Sequence, residues 1–319
     1  MIDLVCCGAI NWDITLFVER LPRPGEEVPV HEIQRTSGGT AANVSVAAAR
    51  ILGPGRVAFI GALGGDEIAE EQIAILRAEG VDPSGVLRVP GKESGQAYII
   101  VGPEGENEIH TYFGANLHLT PQSLRDQERL RLIEEAKVTV IMDPPLETAK
   151  ALAELSKEEG NRVIWDPGVY AELGLAALKG ILRNVDYFIL NHLEFEGLLG
   201  TSDPWEVTAR LGAVNPSVKA VIKRGAEGCI LCSSGEEPTW VRAVPLERLG
   251  MRVVNTVGCG DAFIGALAAS LVEGFDEVEA LRRGCAAGAF KATRKETRGG
   301  PTAEELQELL RRWAELEGG

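Results

Sequence analysis

The sequence contains no long apolar run. No stretch of its 319 residues approaches the ~20 apolar residues that a membrane-spanning helix needs. Residues 1–5 also lack the basic region and the extended apolar core of a signal peptide. We therefore expect a cytoplasmic protein with no membrane partner.

Positive charge is scarce as well. The chain has 32 Lys and Arg against 47 Asp and Glu, a formal net charge of −15. Nucleic acid is disfavoured as a partner because no general positive field would attract it. Any anionic ligand has to be held by a local site, which favours small-molecule chemistry.

The six cysteines show neither a disulfide framework nor a zinc pattern. They are scattered through apolar segments, which is typical of buried, reduced thiols. Cys229 and Cys232 look like a redox or half-zinc motif, but they lie in a strand-like run, where positions three apart face opposite ways. No second ligand pair is visible, so we predict that both cysteines are structural.

Two common nucleotide-binding motifs are missing. No Gly-x-x-x-x-Gly-Lys-Ser/Thr phosphate loop occurs, and the turn at residues 7–10 lacks Gly-x-Gly-x-x-Gly. P-loop kinases and typical dinucleotide dehydrogenases are therefore disfavoured.

Short apolar runs alternate with amphipathic stretches. Helices are predicted at 67–79, closed by Gly80, and at 146–159, closed by Gly160. This alternation predicts an α/β, Rossmann-like fold: a mostly parallel sheet covered by helices, with ligands outside the carboxyl ends of the strands. The apolar runs that predict strands are 4–8, 57–62, 138–142, 163–165, 187–190 and 220–223.

Two segments break this alternation. Residues 26–36 and 97–113 alternate apolar and polar side chains, and a turn signal at 103–107 divides the second segment. They predict a small β-sheet lid, built from inserts at about 14–37 and 95–115, within a single domain that spans 1–319. The alternative is an edge extension of the main sheet.

The run Gly258-Cys259-Gly260-Asp261 directly precedes a long apolar helix, predicted at 262–271. The glycines let backbone amides turn toward one point, and the start of a helix adds unsatisfied N–H groups and a positive dipole end. We expect an anion to bind there. Taken alone, Asp261 is open to another interpretation, an N-cap carboxylate.

Polar residues near the N-terminus suit a ligand with hydroxyl groups. Asn11 and Asp13 share one face of an extended segment, although solvated turn residues are the alternative. Gly38 and Gly39 allow close approach to the backbone. Asn43 offers both a donor and an acceptor, but it is equally suited to cap a helix at 44–50.

Further polar residues end later strands. Asp143, and Asn191 with Glu194, follow two of them, and the turn from Lys223 to Gly228 follows another. Glycines in that turn permit a flat ligand nearby, with simple surface charge as the alternative. Because parallel strands end at one edge of a sheet, these side chains are expected to converge on one crevice.

In their order along the chain, these motifs resemble those of the ribokinase-like sugar and nucleoside kinase family. The resemblance runs from about the first strand to Pro301, and chance agreement of all the motifs in order is improbable. The matching segments are Gly38-Gly39 with Asn43, Glu106-Asn107 and Gly114-Ala115-Asn116 of the lid, Asn191 with Glu194, and Gly258-Cys259-Gly260-Asp261.

The resemblance implies transfer of the γ-phosphoryl group of ATP to a hydroxymethyl group of a ribonucleoside or a small, ribose-like sugar. Asp261 would be the catalytic base, and the amides of Gly258, Cys259 and Gly260 would form the anion hole. Mg²⁺ would be held largely by phosphates and water, with Glu194 in its outer shell. The implied sugar contacts are Asn11, Asp13, Gly38, Gly39, Asn43 and, less directly, Asp143; the implied ATP contacts are Asn191, Lys223, Gly225 and Gly228, with residues 286–300 bordering the adenine.

The chain departs from the family pattern at two positions. Many members carry an acid where Asn255 stands and a small hydroxyl residue where Val257 stands, and these positions help to hold a monovalent cation. Activation by potassium is therefore in doubt.

The start of the helix should lower the pKa of Asp261, which would keep the base ionised at neutral pH.

The acceptor is less well defined than the reaction. Residues 166–168 and 191–196 look similar to those of broad-specificity archaeal nucleoside kinases, which favours a nucleoside over a sugar such as ribose. A hexose or inositol is an alternative, and a sugar phosphate is less favoured because only Arg20, Arg23 and Arg35 lie near the lid inserts.

Two further expectations concern function and assembly. A catalytically silent sugar or nucleoside sensor is the alternative from another class, and the intact Gly-x-Gly-Asp argues against it. The resemblance also implies a homodimer that forms through the lid.

Overall fold

The centre of the fold is a nine-stranded sheet. The computed structural model describes residues 1–103 and 106–318. The strands from residues 219–223 across to residues 81–82 are parallel to their neighbours, and antiparallel pairs add the strands at 228–232 and 239–242 at one edge. The mostly parallel sheet is confirmed; its order is β15 (Thr239–Arg242), β14 (Gly228–Cys232), β13 (Lys219–Lys223), β12 (Tyr187–Asn191), β11 (Arg162–Asp166), β10 (Val138–Met142), β1 (Leu4–Gly8), β4 (Val57–Ile60) and β6 (Val81–Asp82).

Helices cover both faces of this sheet. The helices with core residues on one face are α1 (Thr40–Leu52), α2 (Glu67–Ala78), α8 (Cys259–Glu273) and α9 (Glu277–Ala292). Those on the other face are α3 (Gln127–Glu135), α4 (Leu146–Glu158), α5 (Leu175–Leu182), α6 (His192–Leu199) and α7 (Pro204–Gly212), while α10 (Ala303–Gly318) packs outside α8 and α9. Among the described residues, none of these helices combines the length and apolarity that crossing a bilayer requires.

Strand β1 shows why the sheet is sandwiched between helices. Leu4 and Cys6 belong to the core on one face, and Val5 and Cys7 to the core on the other. All four are fully buried, as in a parallel sheet covered on both sides. Each such aliphatic side chain stabilises the fold by roughly 1.5–3 kcal/mol relative to exposure.

Strand β14 follows the same rule. Cys229 and Cys232 are both buried, and they belong to the cores on opposite faces of the sheet. The structure thus separates the two thiols, as their spacing in a strand predicts.

A separate four-stranded sheet, which we call the small sheet, lies beside the main one. Its strands are, in spatial order, β3 (Val30–Gly38), β2 (Asn11–Val18), β8 (Gly95–Val101) and β9 (Asn107–Tyr112). It is not an edge extension of the main sheet, since it pairs only within itself. The predicted turn at 103–107 includes Glu104 and Gly105, which lie outside the described residues.

The predicted strand at 57–62 ends early. Strand β4 stops at Ile60, and after Gly61 a separate strand, β5 (Ala62–Leu63), pairs with β7 (Leu87–Arg88) in a two-stranded third sheet. The other predicted strands of the main sheet are present.

The register of the main sheet places its carboxyl ends together. Gly8 of β1 is level with Met142 of β10, which is level with Asp166 of β11. Asn191 of β12 is likewise level with Lys223 of β13. Asp143 follows β10 directly, so the polar residues singled out in the sequence lie along one edge of the sheet.

Candidate active site

Helix α8 begins at the predicted phosphate motif. Gly258 is its N-cap residue with a φ of 84°, and the helix runs from Cys259 to Glu273. A Cβ at Gly258 would lie 2.3 Å from the carbonyl oxygen of Thr297, so only glycine fits this turn. Asp261 lies within the first turn and makes no cap hydrogen bond, so the N-cap interpretation of Asp261 is wrong.

The first amides of α8 differ in their hydrogen bonding. The amide of Cys259 donates to the carbonyl of Thr256 at 3.2 Å. The amides of Gly258 and Gly260 have no partner within residues 1–103 and 106–318. Two of the three predicted anion-hole donors are therefore free, at the positive end of the helix dipole.

Asn43 holds the carboxylate of Asp261. Its Nδ2 donates to Oδ2 of Asp261 at 2.8 Å, although the two residues are 218 positions apart. Helix α1 begins at Thr40 after the N-cap Gly39, so Asn43 lies inside the helix rather than at its cap. The capping alternative for Asn43 is wrong, because Gly39 with a φ of 91° already provides the turn.

Arg298 fixes the orientation of Asn43. Its Nε donates to Oδ1 of Asn43 at 2.7 Å, and its Nη2 donates to the carbonyl of Gly38 at 3.1 Å. A guanidinium has only donors, so the Asn43 oxygen must face it and the Asn43 NH₂ group must face Asp261. Among the residues that the structure describes, Oδ1 of Asp261 accepts no hydrogen bond, so it is available to a hydroxyl group. The third Arg298 nitrogen, Nη1, is buried without a partner in the described part of the chain.

Asp13, on the small sheet, lies near the charges of Arg298 and Asp261. A Cβ at Gly38 would lie 2.1 Å from Oδ2 of Asp13, so the glycine makes room for this carboxylate. Burial raises the pKa of Asp13 to about 6; the charge of Arg298 acts in the opposite direction, and that of Asp261 in the same one.

Asn11 is held at the junction of the small sheet with the rest of the protein. Its Oδ1 accepts a hydrogen bond from Nδ2 of Asn116 at 2.9 Å, and Asn116 also bonds the backbone of Ile10. A Cβ at Gly95 would lie 2.4 Å from the same Oδ1. Asn11 is therefore fixed in place, with its Nδ2 group the part that remains for a ligand.

Asp143 lies between the start of α1 and the end of β11. Its φ is 57°, in the left-handed region, and the Thr40 hydroxyl donates to its Oδ2 at 3.0 Å. Gly168 is packed against it, since a Cβ there would lie 1.9 Å from Oδ1. Burial, and next the negative charge of Asp166, raise the pKa of Asp143 to about 7.

Lys223 lies beside the first turn of α8. Its Nζ forms an ion pair with Oδ2 of Asp166 at 2.8 Å, and a Cβ at Gly260 would lie 3.6 Å from the same Nζ. Burial alone would lower the pKa of Lys223, but the Asp166 carboxylate raises it above its usual value. The ammonium is therefore charged and close to where an anion would bind.

Asn191 and Glu194 form a capping box at the start of α6. The Glu194 amide donates to Oδ1 of Asn191 at 2.9 Å, and the Asn191 amide donates to Oε2 of Glu194 at 2.7 Å. Within the described ranges, Oε1 of Glu194 has no hydrogen-bond partner. Glu194 can therefore accept a hydrogen bond from a metal-bound water, the outer-shell role that the resemblance implies for Mg²⁺.

The two glycines of the turn after β13 differ in what requires them. A Cβ at Gly228 would lie 2.0 Å from the carbonyl oxygen of Val241, so this glycine serves the pairing of β14 with β15. Gly225 has a φ of 57° and open space where a Cβ would be. Gly225 is thus the position at which a flat ligand could approach the backbone.

We expected the start of the helix to lower the pKa of Asp261, and this prediction was wrong. Burial raises this pKa to about 6, against the opposing effects of the Asn43 hydrogen bond and the Lys223 charge. The carboxylate stands among other acids in a largely buried site, and this outweighs the effect of one helix end. The group is still mostly ionised at pH 7.

Sequence reasoning missed Arg298, Asp166 and Thr40 as members of this cluster. Asp166 ends a strand and could have been found by that signal. Arg298 lies beyond α9, in a segment we assigned to the adenine side, and no local pattern links it to Asn43.

Comparison with known proteins identifies the family of this chain. Residues 1–304 match the model of a family described as pfkB family carbohydrate kinase. The ribokinase of Haemophilus influenzae is 28% identical over 312 residues, which are 96% of this chain and 98% of that protein. The ATP-dependent ribose-1-phosphate kinase of Halopiger xanaduensis is 29% identical over 310 residues, 97% of this chain and 98% of that one.

The fold has a similar counterpart among solved structures. The ribokinase of Arabidopsis thaliana, complexed with ribose and ATP, superposes with a TM-score of 0.86 at 27% identity. The match covers 98% of this chain and 99% of that one. The predicted ribokinase-like fold is confirmed.

Proposed function

Because the chain belongs to the pfkB family of carbohydrate kinases, we propose that it transfers the γ-phosphoryl group of ATP to a hydroxymethyl group of a ribose-like sugar or a ribonucleoside. Membership of this family makes the protein a phosphotransferase that acts on a sugar or nucleoside. The choice of a ribose-like acceptor is supported by the relatives, which include a ribokinase and a structure with bound ribose.

The observation that carries the proposal is the placement of Asp261. One of its oxygens is held by Asn43 at 2.8 Å, the other is available, and the free amides of Gly258 and Gly260 lie in the same helix start. A base and an anion site are thus joined in one turn. This is what transfer of a phosphoryl group to a hydroxyl needs.

In the proposed reaction, the acceptor hydroxyl donates its hydrogen bond to Oδ1 of Asp261. The hydroxyl oxygen bonds to the γ-phosphorus, the bond from phosphorus to ADP breaks, and the proton passes to Asp261 late in the step. The amides of Gly258 and Gly260, together with the charge of Lys223, stabilise the transferred group. Catalysis by such a site depends mainly on positioning and on charge.

The acceptor contacts are assigned to the side of the site that faces the small sheet. Asp13 and Asn11 lie on strand β2, and Gly38, Gly39 and Asn43 lead into α1. We assign these residues to the sugar hydroxyls, with Asp143 between the acceptor and the phosphates. The small sheet would act as a lid that excludes water and limits ATP hydrolysis.

The ATP contacts are assigned to the opposite side. Asn191, Lys223 and Gly225 lie at the ends of β12 and β13. We assign residues 286–300 to the border of the adenine. Gly228 shapes the same turn through its packing on β15. Mg²⁺, when bound, neutralises phosphate charge, and Glu194 would hold it through water.

A phosphorylated pentose is a second candidate acceptor. One observation favours it: the Arg298 guanidinium, absent from the sequence-based assignment of the sugar site, lies against Asn43 and has an unpartnered Nη1 among the described residues. The relative from Halopiger xanaduensis is a ribose-1-phosphate kinase. Two of the three guanidinium nitrogens are already occupied by Asn43 and Gly38, so we rank this acceptor second.

A coupled ADP-release assay over an acceptor panel tests both candidates. The panel comprises ribose, deoxyribose, ribose-1-phosphate, fructose, myo-inositol and the common ribonucleosides, with wild type and Asp261→Asn compared throughout. We expect the highest kcat/KM with ribose or a ribonucleoside. Asp261→Asn should lose at least ~10²-fold in kcat, the lower range for loss of a general base, while keeping the thermal shift that the acceptor induces.

Other outcomes would contradict specific parts of the proposal. Preference for fructose or inositol would contradict the proposal of a ribose-like acceptor. Preference for ribose-1-phosphate would support the second candidate instead. Near-wild-type turnover by Asp261→Asn would remove Asp261 as the base. A thermal shift with one compound and turnover with none would favour the sensor.

A further inference from the structure

Lys291 is a fully buried lysine close to the start of α8. It lies in the last turn of α9, and its side chain has no exposed surface. Its Nζ donates to the carbonyl oxygen of Asn255 at 2.8 Å and lies 3.5 Å from that of Arg294. In the described part of the chain both partners are backbone carbonyls. Burying an ammonium is costly, and the proposed reaction gives this one no role.

The ammonium sits where two segments meet. The amides of Val254 and Asn255 donate to the carbonyl of Ala292 at 2.7 and 3.1 Å, and Nδ2 of Asn255 donates to the carbonyl of Lys295 at 2.7 Å. The loop at 253–257 is thereby tied to the end of α9. Since this loop runs directly into Gly258, its position sets the position of the anion-hole amides and of Asp261.

The charge of this junction favours a cation. The junction lies at the negative end of the α9 dipole, although the carbonyls of Phe290, Lys291 and Ala292 already accept backbone N–H bonds. The carbonyl of Asn255 points to the same place, since it accepts the Lys291 hydrogen bond. A positive group is therefore favoured here, and Lys291 supplies it from within the chain.

The residues present do not fit an added monovalent cation. The side-chain oxygen of Asn255 already accepts a hydrogen bond from the Val257 amide at 3.0 Å, and the Val257 side chain offers no oxygen. The Asn255 carbonyl is taken by Lys291. A free ion at this junction would also be repelled by the ammonium.

We propose that Lys291 is a positioning residue whose ammonium acts as a built-in cation, holding the 253–257 loop against the end of α9 so that the enzyme needs no added potassium. The proposal rests on the proposed function for its activity readout. Its thermal readout is independent of any substrate.

The test compares wild type, Lys291→Met and Lys291→Ala in potassium, sodium, ammonium and tetramethylammonium chloride at equal ionic strength. Wild type should show the same kcat/KM and the same Tm in all four salts. Both variants should lose on the order of 10-fold to 100-fold in kcat/KM in tetramethylammonium, as expected when reacting groups are displaced by about 1 Å.

The two variants should respond differently to small cations. Lys291→Ala opens space for an ion, so potassium or ammonium should restore part of its kcat/KM and raise its Tm relative to tetramethylammonium. Lys291→Met keeps an uncharged chain in that space and should recover neither. Lys179→Met is the matched control: it removes a lysine charge from an exposed position on α5, away from the residues assigned to either substrate, and should behave as wild type in every salt.

Three results would overturn the proposal: activation of wild type by potassium over tetramethylammonium, wild-type kcat/KM in Lys291→Met, or no response of Lys291→Ala to any small cation. Absence of turnover by wild type with every acceptor would instead count against the proposed function. In that case the salt dependence of Tm in Lys291→Ala still decides the role of Lys291.

Discussion

At the scale of single residues, the pKa values of two acids in the site depend on one arginine that is distant in the sequence. Arg298 is the cation that Asp13 and Asp261 share, and its charge lowers the pKa of both against the effect of burial. Burial lowers the pKa of Arg298 itself to about 10, so it remains charged at neutral pH. Its hydrogen bond to Asn43 also sets which oxygen of Asp261 is free.

Replacing Arg298 should therefore change the pH dependence of catalysis. Asp261 must be ionised to accept a proton, so kcat/KM should rise with pH through about 6 in the wild type. Arg298→Gln removes a charge that lowers the pKa of Asp261, so the acid limb should move to higher pH. At pH 6 we expect a loss of about threefold or more beyond any loss at pH 8, since one pKa unit is a tenfold change in ionisation.

Arg294→Gln is the matched control for this profile. Arg294 lies on the same segment, but it is exposed and pairs with Glu305 at 3.1 Å. Its acid limb should coincide with that of the wild type. An unchanged limb in Arg298→Gln would show that Arg298 does not influence the base.

At the scale of elements, helix α8 is bounded by two glycines with almost the same conformation. Gly258 at its start has a φ of 84°, and Gly274 at its end has a φ of 85°. Their surroundings differ: a Cβ at Gly258 would meet Thr297 at 2.3 Å, whereas nothing lies within 4 Å of one at Gly274. The N-terminal cap is therefore specified by packing as well as by backbone conformation.

This difference predicts distinct effects of the same substitution. Gly274→Ala should cost about 1–2 kcal/mol of unfolding free energy, the cost of a left-handed alanine, and leave kcat unchanged. Gly258→Ala should destabilise further and lower kcat on the order of 10²-fold, because the helix start must move. Denaturant unfolding and steady-state kinetics on both variants measure the two effects. Equal kcat values would contradict the role assigned to this cap.

At the scale of the whole molecule, the small sheet has two unlike faces. Residues directly opposite on neighbouring strands share a face, which places Leu16 with Ile33 and Ile100, and Ile14 with Tyr98. Asp13 lies on the other face, toward the active site. Ile33 and Tyr98 are 47% and 39% exposed. The same face also carries Arg35, Glu108 and His110 beside these apolar side chains. We propose that two copies of the chain pair through this face.

Disrupting that face should yield a monomer. Light scattering should give the wild type twice the chain mass of 34.2 kDa, and Ile33→Glu should give the single mass because it places a charge in the interface. Gln34→Glu adds the same charge on the opposite face of strand β3 and should remain dimeric. A wild type of single mass would remove the dimer.

Much of the fold was predictable because its signals are local. The apolar runs of β1, β10 and β12, the glycine ends of α2 and α4, and the alternation of the small-sheet strands are readable within a few residues. The order of motifs also identified the kinase family and brought Asn11, Asp13, Asn43 and Asp261 into one hypothesis. Periodicity and motif order are properties of the sequence itself, so no tertiary contact was needed for them.

Tertiary structure alone decided the charges and hydrogen bonds that surround that motif. The pKa of Asp261 depends on burial and on charges from other elements, so the motif with its helix start predicted the wrong direction. Arg298 and Lys291 act across the fold, on Asn43 of α1 and on the loop before α8, through contacts that no spacing reveals. Hydrogen bonding and desolvation depend on distances in space, and a sequence specifies those distances only after it has folded.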